Sequence, residues 1–206
     1  SELVVRLGEQ YEIMNLYFKP YACCRWAQPA VAGSLEIARG HNLLMDDIQE
    51  IRVYTFQAAS ELSREHPQST EDAQYNMAFP VAAALMDGQL GPQQVLPPRI
   101  YDPALLALAD RVRVTVRPEY EAAFPDKAYA DVEILTRDGS VLHTGRKEAI
   151  WEPPDTLPTD DELQQKFSWL ASPVLGQARA AAVLDMVWSL EHVDDVGALI
   201  KLCASA

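Results

Sequence analysis

The clearest pattern in the chain is at Ile48 to Thr55, where I-x-x-I-x-V-x-T alternates as a strand with one buried face. Val112, Val114 and Val116 alternate strictly within Arg111 to Arg117, and Ala128 to Thr136 and Val141 to Ile150 are two further strand candidates. Arg137-Asp138-Gly139 between the last two is a hairpin signal. Tyr11 to Tyr17 mixes apolar and polar residues and is predicted as a strand leading into a Lys19-Pro20 turn. Helical spacing takes over from Gln28 to about Arg39, in the pattern Val31, Leu35, Ile37 and Ala38, with Gly40 as the stop. Ser60 to Glu71 is polar and reads as an excursion or short helix followed by a loop. Ala73 to Met86 is apolar on nearly every side once past Asn76, the pattern of a buried helix, with Asp87-Gly88 ending it. Pro80 must then lie in the first turn, because deeper in the helix it would remove a hydrogen bond and kink the backbone. Asp102-Pro103 opens a short helix to Ala109 by cap-then-proline logic.

After Trp151 the pattern changes. Glu152-Pro153-Pro154-Asp155-Thr156-Leu157-Pro158 reads as a stiff linker, and everything beyond it is helical. Thr159-Asp160-Asp161-Glu162 is a capping box. Further helices are predicted from about Pro173 to Leu190 and from Asp194 to Cys203, the last capped by Asp194. The fold class is therefore α+β: a two-layer sheet-and-helix domain over residues 1–151, a proline-rich linker over 152–158 and C-terminal helices over 159–206.

Composition limits the partners. With 206 residues, 49% of them hydrophobic, the chain can bury a substantial core. A formal net charge of −13 argues against nucleic acid or an anionic membrane, since either needs a broad basic surface. The three cysteines, Cys23, Cys24 and Cys203, give no bridge framework and no C-x-x-C spacing, which suits a reducing compartment. Ser1 to Leu7 lacks the charged and apolar parts of a signal peptide, and no apolar run approaches membrane-spanning length. The expectation is a cytoplasmic protein.

Most chemistry-bearing residues have ordinary explanations. His41, His66, His143 and His192 are scattered without metal-ligand spacing, and no glycine-rich phosphate loop or nucleophile motif is present. Asp46-Asp47, Asp160-Asp161 and Asp194-Asp195 sit just ahead of predicted elements, where acids serve caps and helix dipoles. Arg111, Arg113 and Arg117 share one face of a strand, as a solvated sheet face would. The exception is Lys19 and Arg25. They flank a predicted helix start in a segment crowded with Tyr17, Phe18, Tyr21 and Trp26. Pro29 suits the first helical position, with Gln28 beside the cap, so unpaired N–H groups and the positive dipole end should lie near both cations. Either an anion site or two surface ions beside a packing turn fits this spacing.

Three segments, K-P-Y-A-C-C-R-W-A-Q-P-A-V-A at Lys19 to Ala32, A-Q-Y-N-M-A-F-P-V-A-A-A-L-M-D-G at Ala73 to Gly88 and W-S-L-E-H-V-D-D-V at Trp188 to Val196, resemble the C-terminal part of the 2-methylcitrate dehydratase family, also called MmgE/PrpD. The resemblance runs over essentially the whole chain. It implies an α+β lid followed by helices that return to a larger helical domain, and a homodimer or association with a helical domain outside this chain. It implies acid-base lyase or isomerase chemistry on a small polycarboxylate without a required metal or cofactor, and no nucleic-acid or membrane partner. Members include 2-methylcitrate dehydratases, cis-aconitate decarboxylases and iminodisuccinate epimerases. Lys19 matches the lid lysine that faces substrate and is the catalytic candidate. Lys19 and Arg25 would hold carboxylates, and Gln28, Tyr75 and Asn76 would orient the ligand. Gln28 stands where a histidine is frequent, and an amide cannot titrate. Phe79 stands where the decarboxylases place a tyrosine, which leans the expectation toward dehydration or epimerisation. Members are much longer than this chain, so the resemblance implies that the active site is completed from outside it. A non-catalytic binding or dimerisation module is the competing expectation.

Overall fold

The computed structural model describes residues 8, 9 and 11–204, so Ser1 to Leu7 lie outside the described residues. The chain divides into two compact units at Leu157/Pro158.

The first unit is built on a five-stranded sheet. Strands β1 (Ile48–Thr55), β2 (Val112–Val116), β3 (Tyr129–Thr136) and β4 (Val141–His143) lie in the order β2-β1-β3-β4, and the short β5 (Lys147–Glu148) also pairs with β3. β1 and β2 run parallel, with Ile51 opposite Val112 and Val53 opposite Val114. That pairing needs a long crossover, and the segment between them supplies it with helices α2 (Ala78–Asp87) and α3 (Pro103–Ala109). β3 is antiparallel to β1, with Val53 opposite Val132 and Ile51 opposite Ile134. One face of this ladder is therefore a continuous aliphatic surface, and Ile51, Val53, Val132 and Ile134 are fully buried.

Helix α1 (Gln28–Gly40) covers that face together with α2. Its close approach depends on Gly33, where a Cβ would stand 3.2 Å from both Val132 Cγ2 and Thr144 Oγ1. α2 is apolar all round and is buried from Ala78 to Leu85. Pro80 is its third residue, within the first turn, and Gly88 closes it at φ 66°. Asn76 Oδ1 accepts from the Phe79 N–H at 2.9 Å and so serves the helix start. Asp102 caps α3 by accepting from Ala104 N and Leu105 N.

Two strand expectations are corrected. Val141 to Ile150 is not one strand: β4 stops at His143, Thr144 Oγ1 takes the ladder bond from Val132 N at 3.1 Å, and Gly145 turns left-handed at φ 67° before β5 resumes on Tyr129 and Ala130. Tyr11 to Tyr17 is not a strand either. Glu12–Asn15 forms a 3-10 turn, and among the described residues no strand pairs with its backbone groups. The Arg137-Asp138-Gly139 hairpin forms as expected, with Gly139 at φ 87° and Ser140 N–H donating to Asp138 Oδ1.

In the second unit α4 (Asp160–Leu175) begins at the Thr159 capping box, with Thr159 and Glu162 each accepting from the other's backbone N–H. α4 runs through Pro173, so the helix predicted to begin there begins instead at α5 (Gln177–Trp188), after Gly176 at φ 80° breaks the chain direction. The last helix, α6 (Gly197–Cys203), starts later than expected, and Asp195 rather than Asp194 accepts from Gly197 N.

Candidate functional site

The segment Lys19 to Gln28 is held between two anchors. Trp26 packs edge-on against Phe56 and Phe124, at 6.3 and 6.0 Å between ring centroids, and those two rings stack at 4.3 Å. The other anchor is the Gln28 amide. Its Oε1 accepts from Tyr21 N at 3.3 Å, and its Nε2 faces Tyr21 O, Cys23 O and Cys23 Sγ at 3.0 to 3.2 Å. Gln28 is 3% exposed, so this side chain is committed to shaping the loop that carries the cations.

The helix start differs from the open cradle expected from sequence. Arg25–Ala27 forms a 3-10 turn that runs straight into α1, with Ala27 N–H bonded to Cys24 O and Gln28 N–H bonded to Arg25 O. Pro29 has no N–H to offer, and no side chain caps the helix. Charge at this site therefore comes from side chains rather than from a row of exposed backbone donors.

Two of the three quoted motifs meet here. Cys24 N–H donates to Gln74 O at 2.8 Å and Ala22 N–H to Leu90 O at 3.1 Å, which stitches the cationic loop to both ends of the α2 segment. Tyr75, directly after Gln74, is 60% exposed and presents its ring to solvent beside this junction. Asn76 is fully buried. Its amide nitrogen donates to Glu65 O at 2.9 Å while its oxygen serves Phe79 N, so its polar atoms are spent inside the protein. Phe79 is 1% exposed and belongs to the core.

Lys19 is half-buried and lies close enough to Cys23 to act on it electrostatically. Burial nonetheless pushes the Cys23 thiol far up, with Cys24 adding to the rise, so Cys23 stays protonated and is no nucleophile. Arg25 makes a two-pronged ion pair with Glu152, Nε to Oε1 and Nη2 to Oε2. That hydrogen-bonded carboxylate, against the opposing effect of burial, raises the Arg25 pKa above its ordinary value. Glu152 was hidden in sequence by the proline-rich composition around it. The only signal was an acid opening a segment that has to leave the domain somewhere.

Elsewhere, Arg111 donates to Met45 O and Ile48 O, and Arg113 to Asp110 O and Val112 O. Arg117 pairs with buried Asp131 and lies over the Tyr54 ring. The three arginines are thus tied down individually. Among the described residues no group of three or more His, Cys, Asp or Glu is placed to hold a metal ion, and no helix is long and apolar enough to cross a membrane.

Residues 21–192 match the MmgE/PrpD C-terminal domain family. Similar curated proteins include the cis-aconitate decarboxylase-like protein oryM of Aspergillus oryzae, 24% identical over 98% of this chain and 43% of that protein. The cis-aconitate decarboxylase of Mus musculus is 22% identical over 95% of this chain and 40% of its own length. That of Aspergillus terreus is 24% identical over 98% and 43%. The chain spans less than half the length of these relatives.

Proposed function

Because this chain belongs to the MmgE/PrpD family through its C-terminal domain, we propose that it grips a small polycarboxylate for a lyase or isomerase whose remaining catalytic groups lie outside these residues. The observation that carries this reading is the stitched junction. Lys19, Arg25 and Tyr75 come from two distant segments tied together by the Cys24–Gln74 and Ala22–Leu90 hydrogen bonds, in a chain that is otherwise strongly acidic. Two cations in half-buried surroundings act on carboxylates more strongly than they would in open water. Arg25 supplies a fork that matches one carboxylate, and Lys19 a point charge for a second or for negative charge developing on an enolate-like intermediate. Tyr75 offers a phenol to orient the ligand. Gln28 and Asn76 act one step back, by holding the loop and the α2 start in place.

Two of the named relatives are cis-aconitate decarboxylases and the third is a cis-aconitate decarboxylase-like protein, which supports a lyase acting on a tricarboxylate. The expectation that leaned against decarboxylation rested on Phe79, and its burial in the core makes that position a matter of packing. Decarboxylation therefore stands ahead of 2-methylcitrate-type dehydration and iminodisuccinate-type epimerisation. Unbridged Cys23, Cys24 and Cys203 suit the cytoplasm, and no cofactor enters the reading. The competing reading, a non-catalytic binding or dimerisation module, draws on apolar side chains left exposed in the second unit, among them Val187, Trp188 and Ile200.

Titration of the chain with citrate and tricarballylate tests the proposal. Lys19→Ala is expected to weaken binding by about tenfold or more, the scale of one lost charge-assisted hydrogen bond. Unchanged affinity in Lys19→Ala would remove Lys19 from the site and leave the module reading.

A further inference from the structure

The Arg25–Glu152 pair is bidentate and largely buried. Both carboxylate oxygens occupy the guanidinium fork, and the two side chains are 21% and 19% exposed. This is the geometry in which an arginine receives a ligand carboxylate, with part of each group still reached by solvent. The backbone that delivers Glu152 is fixed on its N-terminal side by Phe18 N–H, which donates to Trp151 O at 3.0 Å. Thr156 N–H donates to Glu152 O at 3.0 Å and Glu152 N–H to Thr156 Oγ1 at 3.1 Å, closing a local turn. Beyond it, Asp155 reaches Lys127 at 3.1 Å with its own side chain 65% exposed. Two residues after Asp155 the first unit ends, at Leu157.

We propose that Glu152 is an internal stand-in for a ligand carboxylate: it fills the Arg25 fork when no ligand is bound and is displaced from it by a carboxylate of the incoming polycarboxylate. This rests on the polycarboxylate reading above. One carboxylate replaces another, so Arg25 is never left half-buried without a partner, the state that makes breaking such pairs unfavourable. The fork also stays oriented in the empty site, which lowers the ordering cost of binding.

The exchange has a consequence for selectivity. Swapping carboxylates at Arg25 gains little by itself, so net binding must come from the rest of the ligand, through a second carboxylate at Lys19. A monocarboxylate therefore cannot displace Glu152. Release of Glu152 also removes one tether of the 152–156 turn, whose remaining bonds, Thr156 N–H to Glu152 O and Glu152 N–H to Thr156 Oγ1, then open more readily, so occupancy of the site loosens the segment by which the chain leaves the first unit.

Calorimetric titration with tricarballylate and with acetate, on wild-type, Glu152→Gln and Lys19→Ala chains, combined with amide hydrogen exchange over residues 152–157, tests this. Glu152→Gln keeps the shape and removes the competing charge. It is expected to bind tricarballylate about tenfold more tightly, within the range usual for coupled sites. Wild type is expected to ignore acetate and to exchange faster at 152–157 when tricarballylate is bound. Equal or weaker binding by Glu152→Gln, or exchange at 152–157 that is unchanged or slower, overturns the displacement. If that happens while Lys19→Ala still loses affinity, the polycarboxylate reading survives without it. If no chain binds tricarballylate, both fall together.

Discussion

Phe56, Phe79, Leu35 and Ile51 in the first unit are all at 1% exposure or less, whereas Trp188, Leu190 and Ile200 in the second stay 45 to 66% exposed. The difference is architectural. A sheet offers a broad apolar face, and α1 closes over β3 while α2 packs against α1 and β2, so that both layers hide each other. Among its described residues the second unit has three α-helices, a 3-10 turn and no strand. Among its described residues only Ala180 and Val183 are buried, and α4 buries none. So short a unit has too little interior for its apolar surface. The candidate site accordingly rests on the first unit, where a loop can be fixed to a rigid core by Trp26 and Gln28.

Three experiments press on this contrast. Phe56→Ala should lose about 3 to 5 kcal/mol of stability, as a large aromatic removed from a closed core. Trp188→Ala should lose under about 1 kcal/mol in the monomer, because its ring is already half in water. Comparable losses in urea unfolding would mean that the second unit is as well packed as the first. A smaller effect is expected at the glycines. Gly33→Val pushes methyl groups against Val132 and Thr144 and should destabilise by about 1 to 3 kcal/mol. Gly197→Ala meets the Asp195 carboxylate, which must loosen its bond to the residue 197 N–H to make room, while the higher helix propensity of alanine offsets part of that loss, so the change should stay under about 1 kcal/mol. Equal melting-temperature shifts would erase the distinction between a tight and a loose unit.

The smallest effect concerns pH. The backbone N–H of Leu105, with those of Ala104 and the charge of Arg99, holds the Asp102 carboxyl below its ordinary range. A carboxyl depressed in the folded state adds stability above the unfolded value, near about pH 4, and that contribution is lost as pH falls through the folded one. Asp102→Asn keeps a capping oxygen and removes the titration. Thermal melts should show a shallower acid slope in the variant, and identical slopes would refute the cap's electrostatic part.

Much of the fold was legible where local rules are strong. β1 was found to the residue, α3 and α4 began at their caps, and the 137–139 hairpin followed from its glycine. Errors fell where a distant neighbour decides. β4 and β5 are split by Thr144 and Gly145 where Gly33 of α1 approaches, and no property of residues 141–150 alone announces that approach. Pro173 looked like a helix start but lies near the end of α4, since Gly176 sets the break. In the site, Lys19 and Arg25 stood out as cations in an acidic chain. Gln28 and Asn76 looked available for a ligand until their amides proved to be bonded to backbone groups 3 to 11 residues away.

Sequence by itself determined the α+β class, the family and the concentration of positive charge at residues 19–25, because periodicity, caps and motifs are local and survive any packing. Tertiary structure alone decided that Arg25 faces Glu152, 127 residues further along the chain. It also decided that the α1 start offers side-chain charge rather than open backbone donors. An ion pair is chosen by which surfaces a folded core brings within reach, and that depends on the whole chain at once.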